Sequence, residues 1–279
     1  MIALTAVACR GGSQPEARTT RTPASAVALA DAASLPEAAA TACDTSGVWV
    51  PAARLHVDRA PVTVGQFADY VEATGYVTEA ETFGNSAVFD YDAQAWTLVE
   101  GAFWRQPLGP AGGEAPDDHP VTQVSYRDAR AYCEHAGKRL PTVAEWESAA
   151  RYRQPAATDL YPWGDDIRDA RGAYRANVWQ GIFPHTRRVD DGYAYTSPVD
   201  AFPAAPSGLL DMAGNVWEWT SDVSDGAGVP GDGVHRVAKG GSFLCEPGWC
   251  HGYAVGGATH TSEETGLFHT GFRCVCEGG

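Results

Sequence analysis

A chain of 279 residues with 44% apolar content is long enough for one large domain or two small ones. Its 35 acidic against 20 basic residues leave a formal charge of −15, and no Lys/Arg run exceeds a pair such as Lys138-Arg139 or Arg187-Arg188, which argues against a nucleic-acid or anionic-membrane surface. The 31 Gly, 18 Pro and 9 Trp beside 2 Met predict a loop-rich fold with aromatic anchors and modest regular secondary structure.

In chain order, Met1-Ile-Ala-Leu-Thr-Ala-Val-Ala-Cys9 reads as the end of a signal peptide's apolar segment and resembles a bacterial lipoprotein processing site, with Cys9 as the lipidated residue. No apolar run reaches the roughly 18–20 residues of a transmembrane helix, so the expected membrane link is that anchor alone. Residues 10–45, rich in Ala, Thr, Pro and Ser, read as a flexible tether, with one domain over 46–279.

Short alternating patterns at Gly47–Val50 and Arg54–Val57 predict strands. Val64, Phe67, Ala68 and Val71 recur at helical spacing behind Thr63, an N-cap candidate, and before Gly75, a stop. The stretch 80–118 carries many aromatics but no period and is expected to be a long ordered loop. Ser125 to Gly137 and Thr142 to Tyr152 predict two further helices, the latter opened by the capping-box pattern Thr142-Val-Ala-Glu145. Beyond 153 only Arg236–Lys239 and Gly271–Val275 stand out as strand-like.

Several segments, in order, resemble the formylglycine-generating enzymes and their fold relatives. They are Thr74-Gly-Tyr-Val-Thr-Glu-Ala-Glu81, His119-Pro-Val-Thr-Gln-Val-Ser125, Ala136-Gly-Lys-Arg-Leu-Pro-Thr142 with Glu145-Trp-Glu147, and Tyr161-Pro-Trp-Gly-Asp165. Sharper still are Asn177-Val-Trp-Gln-Gly181, Gly208-Leu-Leu-Asp-Met-Ala-Gly-Asn-Val-Trp-Glu-Trp-Thr220, Lys239-Gly-Gly-Ser242 and Gly271-Phe-Arg-Cys274. The resemblance implies a mixed α+β, C-type-lectin-like fold with long calcium-braced loops. Fold alone does not decide function, because relatives of this kind include oxidases, sulfoxide synthases and ligand-binding surface proteins.

Cys245-Glu-Pro-Gly-Trp-Cys250 resembles the active-site pair of the copper-dependent members. Two thiolates form a soft, low-coordinate site that selects Cu(I), whereas zinc wants further ligands. The resemblance implies Cu(I) held by Cys245 and Cys250, Ser242 and Trp217 shaping the oxygen and thiol pocket, and dioxygen-dependent conversion of a substrate cysteine to formylglycine. Its partner would be a cysteine-containing peptide or unfolded sulfatase segment, handled by a monomer exported to the periplasm or cell surface of a bacterium. An ordinary disulfide between Cys245 and Cys250 is the alternative that the residues alone leave open.

The resemblance also pairs Cys133 with Cys274, and nearness of the chain ends makes Cys43 with Cys276 a candidate second bridge. Ala150 and Val255 stand where both cysteines of another family bridge would fall. Two calcium sites are implied, one at Asn177, Val178, Asp191 and Tyr193, the other at Asp211, Gly214, Val216 and Glu218. The chain departs from the family pattern after Cys250, where 251–264 lacks any Arg, and at Glu246, where His is usual. Those departures put the usual Cys-x-Pro-x-Arg sulfatase motif in doubt as the substrate. His251 and His260 are read as surface or packing histidines. A surface-anchored ligand-binding module, using 244–270 as its face, is the competing function; the non-heme iron sulfoxide-synthase branch lacks its His-x3-His-x-Glu helix here.

Overall fold

The computed structural model describes residues 43–154, 160–224, 233–248 and 250–278. The expected processing site at Cys9 and most of the tether therefore lie outside the described residues. Among those described, no helix is long and apolar enough to cross a membrane.

Among the described residues four α-helices precede residue 151: α1 (Val64–Thr74), α2 (Glu79–Phe83), α3 (Tyr126–His135) and α4 (Val143–Ala150). Each starts with a reciprocal capping box, Thr63 with Gln66, Thr78 with Glu81, Ser125 with Asp128, and Thr142 with Glu145. Two otherwise orphaned backbone donors are satisfied each time, so short helices hold without long apolar stripes. Asp128 does more than cap: its buried carboxylate also accepts from Tyr76 Oη at 2.9 Å and from the Glu79 amide at 3.2 Å, tying α2 to α3.

Strands β1 (Val48–Val50) and β2 (Leu55–Val57) form an antiparallel sheet with the late strand β9 (Val275–Glu277). Disulfides Cys43–Cys276 and Cys133–Cys274 rivet this sheet to the N-terminal part of the domain and to α3. The domain thus takes in Cys43 to Thr45, which the sequence had placed in the tether; Lys138 also reaches Asp44 at 3.6 Å. Ala150 and Val255 are both fully buried in one apolar cluster with Trp146, Leu209 and Val275, so simple packing stands where a family bridge is missing.

The second sheet runs β7 (Ala258–Ser262), β6 (His235–Lys239), β5 (Trp217–Val223), β8 (Thr270–Gly271), with β5 parallel to β8 and antiparallel to β6. Trp217 and Trp219 of β5 enter the main core with Phe67, Cys133, Cys245, Tyr253 and Phe272.

One expectation is corrected. The stretch 80–118 holds α2, a six-residue antiparallel hairpin of β3 (Asn85–Asp90) and β4 (Ala95–Glu100), and a 3-10 turn at Pro110–Gly112, so it is not a continuous loop. The hairpin hides because its burial breaks the period of two. Ser86 is buried through Gln123 at 2.5 Å and the Gly266 carbonyl at 3.0 Å, whereas Leu98 is exposed.

Candidate active site

Beneath the site lies a buried ion pair that fixes β5. Both Glu218 and Arg273 are fully buried, and the guanidinium grips the carboxylate twice, Nη2 to Oε1 at 2.6 Å and Nε to Oε2 at 2.7 Å. Trp146 Nε1 adds a third bond to Glu218 at 2.7 Å. Arg273 spends its remaining donors on the carbonyls of Leu210 (2.8 Å) and Asp58 (3.1 Å), joining three distant segments.

From β6 the chain turns sharply at Gly240 and Gly241, both with positive φ. A Cβ on Gly241 would collide with the Tyr253 backbone, so this close approach requires glycine. The turn delivers Ser242, which is fully buried, and then Cys245, whose amide donates to the Ser242 carbonyl at 2.9 Å. Ser242 Oγ lies 3.9 Å from Cys245 Sγ and accepts from the Leu244 amide at 3.3 Å. Cys250 is brought back by its amide bond to the Glu246 carbonyl at 2.8 Å.

The two sulfurs stand 3.0 Å apart as free thiols, Cys245 buried and Cys250 half-buried. Burial and the neighbouring sulfur push the Cys245 thiol up, and the hydrogen bond from Cys245 holds Cys250 below its usual value. Cys250 is thus the more acidic of the two thiols, with Cys245 placed to donate to it. Iodoacetamide is therefore expected to alkylate Cys250 well before Cys245 in the reduced protein, its rate half-maximal below the ordinary thiol range near 8.5; peptide mapping over pH reads both, and first labelling at Cys245 would reverse the assignment.

Trp217 closes one side. Its ring packs on the Cα of Gly252, and a Cβ there would meet the ring and also the Cys250 sulfur, at 3.1 Å. On another side Tyr253 and Tyr161 stack at 5.6 Å, and Tyr161 Oη meets His251 Nε2 at 2.9 Å. Sequence reasoning quoted Tyr161 as part of a motif but gave this pair no role. His251 is engaged with Tyr161, and His260 lies on β7 with its Nδ1 buried and unpartnered, so neither supplies a ligand contact to the sulfurs. Among the described residues no three His, Cys, Asp or Glu side chains cluster as a metal site.

The other expected ligands fall into two separate loops. Asn177 is buried with its Oδ1 unpartnered. The Gln180 amide donates to both the Val178 carbonyl and Asp191 Oδ2, so two expected oxygen ligands converge on one point. Burial raises the Asp191 carboxyl above its usual value, and its Oδ1 accepts from the Tyr193 amide at 3.0 Å. Asp211, Gly214 and Asn215 all adopt positive φ, curling the second loop between Leu210 and β5. Burial pushes Asp211 up to about 7. Glu218 spends three carboxylate lone pairs on Arg273 and Trp146, leaving one of roughly four on Oε1 for a further ligand.

The model of the sulfatase-modifying factor enzyme 1-like domain matches residues 38–277. The chain belongs to that family. A formylglycine-generating enzyme of Thermomonospora curvata is 43% identical over 250 residues, covering 79% of this chain and 81% of the relative. That of Streptomyces coelicolor is 42% identical over 246 residues, covering 79% and 77%. In three dimensions the chain resembles PvdO from Pseudomonas aeruginosa, with a TM-score of 0.57 at 23% identity over 80% of each chain, a likeness of fold. The expected α+β, loop-rich family fold is therefore what the chain adopts, with Cys133–Cys274 as its bridge.

Proposed function

We propose that this enzyme oxidises a peptidyl cysteine to formylglycine with dioxygen, at a Cu(I) ion held by Cys245 and Cys250. The observation that carries the reading is the unbonded thiol pair at 3.0 Å, set in the wall of the core of a chain more than 40% identical to enzymes of that name. Two sulfurs without a third donor suit Cu(I) and not zinc. When bound, copper would supply a soft centre for a third thiolate and for dioxygen activation.

The chain's own residues do the rest. Cys250, half-buried and the more acidic of the pair, is the sulfur that faces an incoming thiol, while Cys245 stays anchored through Ser242. The Trp217 ring and the stacked Tyr161 and Tyr253 keep bulk water from the sulfurs. Overall, the substrate Cβ loses two electrons and its sulfur leaves as sulfide. Dioxygen takes up four electrons, the other two coming from an external thiol reductant.

Calcium is proposed at both loops. At the first, the unpartnered Asn177 Oδ1 and the convergent Val178 and Asp191 oxygens favour a hard cation. At the second, the buried Asp211 carboxylate accepts from Asn215 at 2.8 Å and makes no direct ion pair among the described residues, so a bound calcium would favour its charged form. The ligand-module reading has less support, because 244–270 contributes Leu244, Tyr253, Val255 and Phe268 to the core and is not a free face.

The test is anaerobic Cu(I) titration of the reduced protein, then aerobic incubation with a cysteine peptide and mass spectrometry. One tightly bound copper, and a peptide mass change matching CH2SH replaced by CHO, are expected. Absence of both copper capture and the mass change would remove the oxidase reading.

A further inference from the structure

Arg187 sits in an aromatic box. Its guanidinium carbon lies 4.8 Å from the ring centroid of Tyr91, 4.9 Å from that of Tyr195 and 5.3 Å from that of Trp179. Trp179 is buried, whereas Tyr195 keeps 37% of its surface and Arg187 is half-buried, so the box is open on one side. The box packs against the loop that carries Cys245. The Trp179 amide donates to the Cys245 carbonyl at 3.0 Å, and Tyr195 packs edge-on against Phe243, two residues before Cys245.

Stacking uses the flat faces of a guanidinium and leaves its in-plane N–H donors for polar partners, the Tyr91 hydroxyl among them. Those donors are normally taken up by a carboxylate. Among the described residues no carboxylate forms a salt bridge with Arg187, although acidic groups are close in sequence. Asp190 pairs with Arg188 at 3.0 Å, and Asp191 is occupied by Val178, Gln180 and Tyr193. In a chain of formal charge −15, a cation held among three rings, without a carboxylate partner among the described residues and packed against the loop that carries Cys245, is a recognition element.

We infer that Arg187 is a specificity-determining residue that binds a carboxylate side chain, Asp or Glu, flanking the reactive cysteine of the substrate peptide. This deepens the oxidase reading and rests on it for the identity of the substrate. The acidic flank would enter over the exposed Tyr195 edge and place its oxygens in the plane of the guanidinium. An Arg-free segment after Cys250 accords with a substrate selected by negative charge at this different corner of the site.

The test uses cysteine peptides identical except for Glu, Gln or Lys scanned through the flanking positions, together with Cys→Ser versions for binding by fluorescence anisotropy. At the responsive position, wild-type protein is expected to bind the Glu peptide roughly tenfold more tightly than the Gln peptide, the Lys peptide being weakest, with the preference shrinking as salt rises. Arg187→Gln should erase that preference through KM, bringing the Glu and Gln peptides to the same affinity, and Arg187→Lys should restore part of it. No charge preference in the wild type, or a preference that Arg187→Gln leaves intact, overturns the inference. Glu-selective binding without turnover keeps Arg187 as the reader and removes the oxidase reading. Turnover without Glu selectivity does the reverse.

Discussion

Replacing Cys245 with Ser is expected to abolish stoichiometric Cu(I) capture and to lower turnover of a cysteine peptide at least roughly a thousandfold, about 4 kcal/mol of barrier. The substitution exchanges a soft sulfur for a hard, neutral hydroxyl at a buried position. No third side-chain donor is clustered there to take over. Serine nearly preserves volume and keeps a donor for Cys250, so the melting temperature should move little. Cys250→Ser should lose as much, and the double variant no more, because the two sulfurs act as one unit. Initial rates at saturating copper, compared with anaerobic titration, separate lost metal from lost chemistry. Turnover retained in either variant would place the reaction away from the pair.

Arg273→Met is expected to destabilise the fold by about 3–5 kcal/mol, the cost of leaving a buried carboxylate with its charge unpaired. Glu218 would keep only the Trp146 indole, and the carbonyls of Asp58 and Leu210 would lose their donor. Arg273→Lys should recover little, since one ammonium cannot reproduce the two-pronged grip and the carbonyl bonds together. Adding Glu218→Leu to Arg273→Met should regain part of the loss by removing the orphan charge. Urea unfolding in the presence of a chelator gives the comparison free of any calcium effect at Glu218. A loss below about 1 kcal/mol would mean that water reaches the pair.

Legibility followed how local the signal was. Helices α1, α3 and α4 were plain because Thr63, Ser125 and Thr142 mark their starts with partners three residues on, whereas the five-residue α2 was not seen. The thiol pair and the Cys133–Cys274 bridge came from ordered motifs, which carry three-dimensional information that no single residue does. By contrast β5, Trp217-Glu-Trp-Thr-Ser-Asp-Val223, was read as a motif and not as a strand. Its first four residues are all buried, because it is central in its sheet and packed on both faces, so no alternation survives. Polar β7 forms an edge through backbone pairing with β6, which leaves no apolar pattern to find. Residues that act through a distant partner, such as Arg187 or the Tyr161 and Tyr253 stack, had no signal in spacing at all.

Residues 270–277 supply β8, Arg273, one cysteine of each bridge and β9. Their partners lie far earlier, the bridges spanning sequence separations of 233 and 141. A ribosome that has not yet passed residue 270 has therefore produced a chain in which β2 lacks its β9 neighbour and Glu218 its counter-charge. Helices can form during synthesis, but the domain as a unit can close only after this stretch emerges. Until then the tryptophans of β5 stay uncovered, and a nascent chain is a client for any factor that shields apolar surface. A ribosome stalled just short of residue 270 should display a protease-sensitive polypeptide, and extending it by a few dozen residues of linker beyond 279 should convert it to a resistant one.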